Sequence, residues 1–485
     1  MLNRQLDTPL YEQLAHQLME DIDAGVYSVG QRVPSVRHMS RHMSVSISTV
    51  TQAYAWLEDQ GWLRARPQSG YFVRARQAML PPSAPLTSSE QPATFTKAEL
   101  VNRMLARLNE PRQINFGAAV PAPDMLPLRP LQTHINKVSR FNTRQIVEYQ
   151  FSPGLAGLRQ QIAIRMRDVD VRCHQDDIVI TNGCAEAVTL CLRATMQPGD
   201  VIAVESPCYY GFLQIAGLLG LKIIEIPSDP NTGLSIDALE LALQRWPIKL
   251  IALTARYSNP TGASMPAEQQ RRLVALARQY DIAVLEDDIY GELGFPGARQ
   301  EPPLMSVLKS FDDDGRVLYC SSFSKTLAAG LRVGWCLPGR WYRQVIENQT
   351  FTTFSASSLS QHALCSYLQN GQYDRHLRQL RRRLADNCQQ FLDGIARGFP
   401  AATRVNEPRG GFILWLGLPP SVNAMELYHL AAEHSISIVP GDLFSNSDHF
   451  RSCIRLNCAV NWNEATAQAL QALGQLVAQL QGKSA

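Results

Sequence analysis

One lysine stands in a loop whose other residues could bind phosphate. Lys325 follows Ser322 and Ser324 closely, and Arg332 comes seven residues later. Apolar runs on both sides predict that two strands bound this loop. An unprotonated amine can form an imine with an aldehyde, and burial or a nearby cation favours that form by lowering the pKa. Arginine and hydroxyl groups can hold a phosphate. A pyridoxal phosphate site needs these groups, although a lysine in a polar loop is more often a solvated surface residue.

Further polar clusters stand where predicted strands end. From about position 177 onward, short β-branched runs alternate with helical segments, which predicts a mainly parallel sheet covered by helices on both faces. Ligand groups gather at the strand ends of such sheets. The clusters are 181–187 with Gly183, 205–211 with Tyr209, 259–262 with Asn259, and 285–290 with Asp287 and Tyr290.

Each cluster offers one group that this cofactor could use. A helix that begins at Gly183 would present amides to an anion, as an ordinary strand-to-helix turn also does. Tyr209 could stack on a pyridine ring or pack in the core. Asn259 supplies an amide on a rigid turn, and Tyr290 could reach the ring oxygen. Asp287 would leave a buried strand, which is costly unless it is paired. A protonated pyridine nitrogen is such a partner and keeps the ring an electron sink; the alternative is a helix N-cap acid.

Near the end of the chain, Arg455 could hold the carboxylate of a substrate or form a structural ion pair. Each clue is weak when taken alone. Their order along the chain, with Lys325 between Asp287 and Arg455, argues against coincidence.

The start of the chain predicts a DNA-binding unit. Apolar residues at helical spacing predict helices over 11–24, 36–43 and 47–60, with Ser35 and Ser46 as N-caps. Two short helices around a tight turn form the helix-turn-helix pattern, whose second helix enters the major groove. Two alternating runs after the third helix predict a hairpin, which would form a wing.

The charge of this region favours a nucleic-acid partner. Between Arg32 and Arg76 there are seven arginines and only two acids, Glu58 and Asp59, so this part has a net charge of +5. A one-sided basic face is typical of a surface that meets a phosphate backbone. The alternative is a small helical dimerisation module with solvated arginines. The net charge of the whole chain, +3, gives no such indication.

The sequence predicts three parts. Residues 1–76 form the DNA-binding domain, 77–112 a linker, and 113–485 a larger α/β domain with length enough for a substantial core. The linker prediction rests on the proline- and serine-rich stretch 81–92, which has no apolar period and cannot bury a core.

The cysteines and the apolar runs bear on the compartment. The ten cysteines have neither Cys-x-x-Cys pairs nor zinc-like spacing, which predicts free thiols in a reducing compartment and no metal site. The sequence shows no signal-peptide core and no apolar run long enough to span a membrane. We therefore expect a cytoplasmic protein without a membrane partner.

The first domain resembles the winged helix-turn-helix of GntR-type regulators. The motifs that carry the resemblance are 9–11, 30–37, 45–50 and 69–73. The resemblance implies double-stranded DNA as partner, with contacts from Arg37, Ser46, Ser48, Thr49 and the wing tip at Gly70. Ile47 stands where many members carry an arginine, so base readout by that arginine is absent here.

The larger domain resembles the fold-type I aminotransferases, which have a large and a small domain. The resemblance implies that Lys325 binds pyridoxal 5'-phosphate, that Asp287 pairs with the pyridine nitrogen, and that Arg455 takes the carboxylate of an amino acid. Tyr290 and Asn259 would bond the ring oxygen and Tyr209 would stack on the ring. The implied phosphate ligands are Gly183, Cys184, Ala185, Ser322, Ser324 and Arg332. The chain departs from the family at Ala329, where proline is usual, and at Cys184 and Ala185, where polar residues are usual.

A GntR-like head joined to an aminotransferase-like body resembles the MocR group of bacterial regulators. That resemblance implies a sensor of a small amine or amino acid, or of pyridoxal phosphate itself, in a homodimer whose heads could be swapped. One alternative is a working aminotransferase that carries a DNA-binding head. Another is a cofactor-free scaffold in which Lys325 is inert.

Overall fold

The computed structural model describes residues 8–66, 69–74, 91–95, 97–107, 113–296 and 306–483. The first part consists of three helices and a two-stranded hairpin. Its elements are α1 (Leu10–Asp23), α2 (Val36–His42), α3 (Ile47–Asp59), β1 (Leu63–Arg66) and β2 (Gly70–Val73). The predicted turn of the wing at 67–68 lies outside the described residues.

Serine caps and one apolar face define this head. The Ser35 hydroxyl accepts a hydrogen bond from the His38 amide (3.3 Å), and the Ser46 hydroxyl accepts one from the Thr49 amide (3.1 Å). Such caps satisfy amides that the first helical turn leaves unpaired. The inner face of α3 packs in one core with α1, and β1 pairs antiparallel with β2. The predicted winged helix-turn-helix is confirmed.

The linker prediction needs one correction. Residues 98–107, which the sequence assigns to the linker, form helix α4 (Ala98–Arg107), and its Val101 and Met104 are buried in the main core of the body. Just before it, the Lys97 ammonium donates to the carbonyls of Asp442 and Ser445. The sequence predicts a linker here because the polar stretch 81–92 outweighs the few apolar residues of this helix. Most of that stretch, 81–90, lies outside the described residues.

The body alternates strands and helices. Its first elements are β3 (Ile114–Asn115), α5 (Leu128–Phe141), α6 (Thr143–Val147), α7 (Ala156–Met166), β4 (Val179–Thr181), α8 (Cys184–Thr195), β5 (Val201–Ser206), α9 (Tyr210–Leu218), β6 (Lys222–Asp229), β7 (Gly233–Leu234), α10 (Ile236–Arg245), β8 (Ile248–Leu253), α11 (Ala267–Gln279), β9 (Ala283–Asp287), β10 (Val317–Ser322) and β11 (Gly334–Leu337). The chain continues through α12 (Tyr342–Thr350), α13 (Ser358–Gln369), α14 (Gln372–Gly398), β12 (Arg404–Val405), β13 (Ile413–Gly417), α15 (Ala424–Glu433), β14 (Ile436–Ser437), β15 (Val439–Pro440), β16 (Cys453–Asn457) and α16 (Glu464–Lys483).

The main sheet has eight strands in the order β4-β11-β10-β9-β8-β5-β6-β7. Strands β10, β9, β8, β5 and β6 run parallel to one another. Strand β11 runs antiparallel to β10 and β4, and β7 runs antiparallel to β6. One apolar cluster fills the face under α8 and α9, and another fills the face under α10 and α11. The strands are apolar along their length because helices cover both faces. The predicted mainly parallel, doubly covered sheet is confirmed.

A second, smaller sheet lies near the chain's end. Its four strands are antiparallel in the order β12-β13-β16-β15, while β14 pairs with β3 from the start of the body. The body therefore has the predicted large and small α/β units. All ten cysteines are free. Among the described residues, no helix is long and apolar enough to cross a lipid bilayer.

Candidate cofactor site

The predicted site residues follow the carboxyl ends of five main-sheet strands. Strands β5, β8, β9 and β10 run parallel, so their carboxyl ends lie at one edge of the sheet. Strand β11 returns antiparallel beside β10, which keeps the loop between them at this edge. The five strand ends lead to Gly183 after β4, Tyr209 after β5, Asn259 after β8, Tyr290 after β9 and Lys325 after β10. Ligand sites of open α/β sheets form at such an edge.

Lys325 lies in one turn of π-helix, Ser324–Ala328. Its ammonium donates to the carbonyl of Ala119 at 2.8 Å and stands 6.0 Å from the centroid of the Tyr290 ring. Burial and the nearby Arg455 cation lower the pKa of Lys325 to about 8, against the opposing pull of Asp287. The amine is therefore half neutral near pH 8, which prepares it to react with an aldehyde.

Asp287 ends β9 as a buried carboxylate with one oxygen left open. Its Oδ1 accepts hydrogen bonds from the Cys184 thiol (3.2 Å) and the Ile289 amide (3.1 Å). Its Oδ2 accepts none from the described residues. Burial raises the pKa of Asp287 to about 6, so the group is ionised at neutral pH. A buried anion with a free oxygen fits a protonated pyridine nitrogen.

Arg455 on β16 brings the small sheet to the same place. This arginine is fully buried, and it donates to the carbonyl of Gly117 and to Asn259 Oδ1 (3.4 Å). Asn259 in turn donates to the hydroxyl of Tyr290 at 3.3 Å. The Nε of Arg455 has no partner, and no carboxylate of the described residues pairs with its guanidinium. A structural ion pair at Arg455 is thus not found, and unused donors remain for an acid ligand.

The predicted phosphate ligands are brought together around the start of α8. The guanidinium of Arg332 lies over Gly183 and donates to the carbonyl of Asn182 at 2.9 Å. A Cβ on Gly183, whose φ is +88°, would collide with that guanidinium. A Cβ on Gly334 would stand 2.5 Å from the backbone of Gly183. Glycine at both places therefore lets an arginine and a helix N-terminus share one small space.

The remaining predicted cofactor ligands differ in exposure. Ser322 and Ser324 are buried, and the Ser322 hydroxyl accepts a hydrogen bond from the Ser324 amide at 3.3 Å. Cys184 is buried against Asp287, whereas Ala185 is exposed at the start of α8. Tyr209 is half-buried at the start of α9, where its ring lies 4.9 Å from that of Tyr210. Burial raises the pKa of Tyr209 well above its usual value, so its hydroxyl stays protonated.

Sequence reasoning missed the groups that position the site residues without belonging to the predicted site. The carbonyls of Ala119 and Gly117 accept from Lys325 and Arg455, and backbone atoms carry no signature in a sequence. A buried Arg256–Asp288 ion pair underlies the turn after β9, and the Tyr319 hydroxyl donates to the same carboxylate at 2.7 Å. The three consecutive acids at 286–288, at the end of an apolar strand, are the sequence signal for this second pair.

The predicted DNA contacts lie on three elements of the head, namely α2, the start of α3 and the second strand of the wing. Arg37 is exposed in the first turn of α2, and Ser46 and Ser48 are exposed at the start of α3. Thr49 is half-buried, and Gly70 begins the second strand of the wing with a φ of +99°. Exposed groups at the start of a recognition helix are those that contact base edges in this motif.

Family models match both parts of the chain. The model for aminotransferase class I and II matches residues 112–473, and the model for bacterial regulatory proteins of the gntR family matches residues 10–73. Two HTH-type transcriptional regulators of Escherichia coli (strain K12) resemble nearly the whole chain. YjiR is 39% identical over 96% of this chain and 98% of its own length, and YdcR is 40% identical over the same shares.

Solved structures resemble the body. A multiple substrate aminotransferase from Thermococcus profundus has a TM-score of 0.73 at 25% identity, and it covers 80% of this chain and 97% of its own. LysN, the alpha-aminoadipate aminotransferase of Thermus thermophilus, has a TM-score of 0.71 at 26% identity over 80% of this chain and 100% of its own. The body therefore has the fold-type I aminotransferase fold.

The charges around Lys325 predict opposite effects of two substitutions. Removing the cation in Arg455→Met should raise the pKa of Lys325, and removing the anion in Asp287→Asn should lower it, each by about one unit or about 1.4 kcal/mol. The pH dependence of the rate at which pyridoxal phosphate joins the cofactor-free protein, followed by visible absorbance, measures this pKa. Shifts of both variants in the same direction would contradict the electrostatic account.

The contact between Gly183 and Arg332 predicts a loss of cofactor affinity in Gly183→Ala. The matched control is Gly199→Ala, because Gly199 has a similar φ of +91° with no atom within 4 Å of the added Cβ. Both variants should lose about 1–2 kcal/mol of stability from backbone strain. Only Gly183→Ala should also raise the dissociation constant of pyridoxal phosphate, by roughly tenfold or more, measured by equilibrium dialysis. Equal affinity in both variants would show that Arg332 and Gly183 do not form the phosphate cradle.

Proposed function

Because the chain belongs to the aminotransferase class I and II family and carries a gntR-family head, we propose a MocR-type regulator that binds pyridoxal phosphate through Lys325 and senses a small amine or amino acid. It is a transcription regulator with an aminotransferase-like body, in a family whose enzymes depend on pyridoxal phosphate. The observation that carries the proposal is the convergence of Asp287 and Arg455 on a lysine amine whose pKa is about 8.

The residues present fit the cofactor. Lys325 supplies the amine, the free Oδ2 of Asp287 suits the pyridine nitrogen, and Asn259 and Tyr290 suit the ring oxygen. Gly183 and Arg332, together with Ser322 and Ser324, offer donors for the phosphate, and Tyr209 a ring to stack on. When bound, the cofactor supplies an electrophilic carbon that an incoming amine can attack. The unpaired donors of Arg455 select an amine that also carries a carboxylate.

Contacts between wing and body offer a route from this site to DNA. Arg64 pairs with Asp386 of α14 at 3.1 Å, and Arg74 pairs with Glu407 at 2.6 Å. Both arginines are among the seven that give residues 32–76 their positive charge, and DNA phosphates would also attract them. Partly exposed ion pairs contribute only about 0–1 kcal/mol each, so these contacts hold the head weakly enough to be released.

The segment 406–407, which pairs with Arg74, also contacts the loop that carries Asn259. Asn406, the neighbour of Glu407, donates to the carbonyl of Thr261, and its Oδ1 accepts from the Trp415 amide at 2.8 Å. Thr261 lies two residues after Asn259, which bonds Tyr290 and Arg455. A ligand that shifts the small sheet relative to this loop would therefore also move Glu407. Such a ligand acts because it binds the protein with different affinities before and after this shift of the small sheet.

An active aminotransferase with a DNA-binding head is the second candidate. The pKa of Lys325, about 8, would also let this amine act as acid and base in turnover.

A homodimer is the assembly that we propose. Three aromatic side chains form an exposed cluster on the body: Tyr149 is 70% exposed, Phe151 58% and Phe354 41%, with ring centroids 5.1–5.7 Å apart. Exposed apolar patches of this kind mark protein interfaces. A second copy of this chain would cover the cluster, and in such a dimer the heads could dock on their own or on the partner body.

The proposal is tested by titrating the cofactor-loaded protein with amino acids and amines. Visible absorbance, affinity for the DNA upstream of its own gene, and release of keto acid are measured in the same samples. We expect an effector that changes the absorbance and the DNA affinity together, by about fivefold or more, without sustained keto-acid release. Lys325→Ala should lose both responses. Sustained keto-acid release with unchanged DNA affinity would instead establish the aminotransferase.

A substitution at the Arg74–Glu407 contact distinguishes effector binding at the cofactor site from transmission of its effect to DNA affinity. Glu407→Gln removes the charge that pairs with Arg74 and should keep the absorbance response while reducing the change in DNA affinity. The control is Glu433→Gln, an equal change at an exposed position on α15. Normal transmission in Glu407→Gln would rule out this route.

A further inference from the structure

A groove with a basic lining opens on the body, outside the site around Lys325. It lies between residues 124–134 and the first half of α14, with a volume of about 690 Å³. Three arginines line it: Arg129 from α5, and Arg375 and Arg383 from α14. This volume is in the range of small-molecule sites.

The charges of the groove are not balanced by protein acids. Within the part of the chain that the structure describes, none of the three arginines forms an ion pair. Arg383 donates to the backbone carbonyl of Asp124 at 2.8 Å, and the carboxylate of Asp124 accepts from Asn461 at 2.6 Å. One carboxylate, that of Asp124, thus lines the groove together with three guanidinium groups. Positive charges gathered in a concave surface attract anions strongly, and guanidinium forks match phosphate and carboxylate groups.

Two histidines form the wall of the groove, and one of them reaches the lysine loop. His134 and His376 are buried, and burial lowers the pKa of both, so they add no charge at neutral pH. His376 Nε2 lies 2.7 Å from the carbonyl of Thr326, which can only accept, so this nitrogen carries the proton. The Tyr373 hydroxyl donates to the Glu292 carboxylate, and its oxygen accepts a hydrogen bond from the Thr326 hydroxyl at 2.7 Å. Two residues near the start of α14, Tyr373 and His376, therefore hydrogen-bond to Thr326, the residue next to Lys325.

We propose that this groove is a second ligand site, which binds a small anion with several phosphate or carboxylate charges and influences Lys325 through His376 and Thr326. The binding is independent of the proposed function, and only the influence on Lys325 rests on it. A small ligand fits better than a nucleic acid backbone because the three arginines surround a hollow. Arg378 and Arg382 of the same helix are exposed and do not line it.

The test is calorimetric titration of the full-length protein with inorganic pyrophosphate and, separately, with citrate as the carboxylate probe. The protein is first loaded with the cofactor, so that the residues proposed to bind the cofactor's phosphate cannot bind the probe instead. Arg375→Gln combined with Arg383→Gln should weaken binding by roughly tenfold or more. The matched control, Arg378→Gln combined with Arg382→Gln, removes the same charge from the same helix and should change affinity by less than about twofold.

Absence of pyrophosphate and citrate binding would overturn the site. Equal weakening in the two double variants would overturn it too, since it would indicate general attraction to a basic helix. The same samples report the influence on Lys325. Saturating pyrophosphate should shift the pH midpoint of the cofactor's visible absorbance in the unmodified protein and not in the groove variant. An unchanged midpoint would overturn the link through His376.

Discussion

The partly neutral amine of Lys325 is the feature on which the rest of the body depends. A lysine reacts with an aldehyde only after losing its proton, and burial beside Arg455 lowers its pKa to about 8. The buried Arg455 and the half-buried Lys325 are two cations that need compensation, which comes from the carbonyls of Ala119 and Gly117 and from the charge of Asp287. These groups come from segments far apart in the chain, so the main sheet, the small sheet and the start of the body must all be in place before the amine has this environment.

The magnitudes favour a regulator whose head is loosely held. Two partly exposed ion pairs between wing and body contribute about 0–1 kcal/mol each. Coupling between ligand sites in proteins typically amounts to about 1–3 kcal/mol, which is enough to make or break such contacts. The long helix α14 contacts both the lysine loop and the wing. Near its start, Tyr373 and His376 bond Thr326, and further along Asp386 pairs with Arg64 of the wing. A tighter interface would hold the head in one position regardless of the ligand.

Much of this arrangement follows from the sequence, for physical reasons that also explain what was missed. Lys325 could be predicted from the hydroxyls and the arginine around it, and Asp287 because a carboxylate beside a buried strand needs a partner. Arg455 was indicated by its place after Lys325 near the end of the chain. The role of the Ala119 carbonyl could not be predicted because a backbone atom has no sequence signature. The approach of Arg332 to Gly183 depends on a positive φ, which glycine can adopt but which its presence in a sequence does not predict. Helix α4 was assigned to the linker because its two core residues are few beside the polar stretch before it. The groove unites Arg129 and Arg375, which are far apart in the chain, and only the fold brings them together.

The most direct test of the account is the identity of the residue that carries the cofactor. Full-length protein is incubated with pyridoxal phosphate, reduced with borohydride, digested, and analysed by mass spectrometry. The chain has seven lysines. The account predicts a phosphopyridoxyl group on the peptide that contains Lys325, in a yield near one per chain and at far lower yield on the other six. A label spread evenly over the lysines, or found mainly on another lysine, would contradict it.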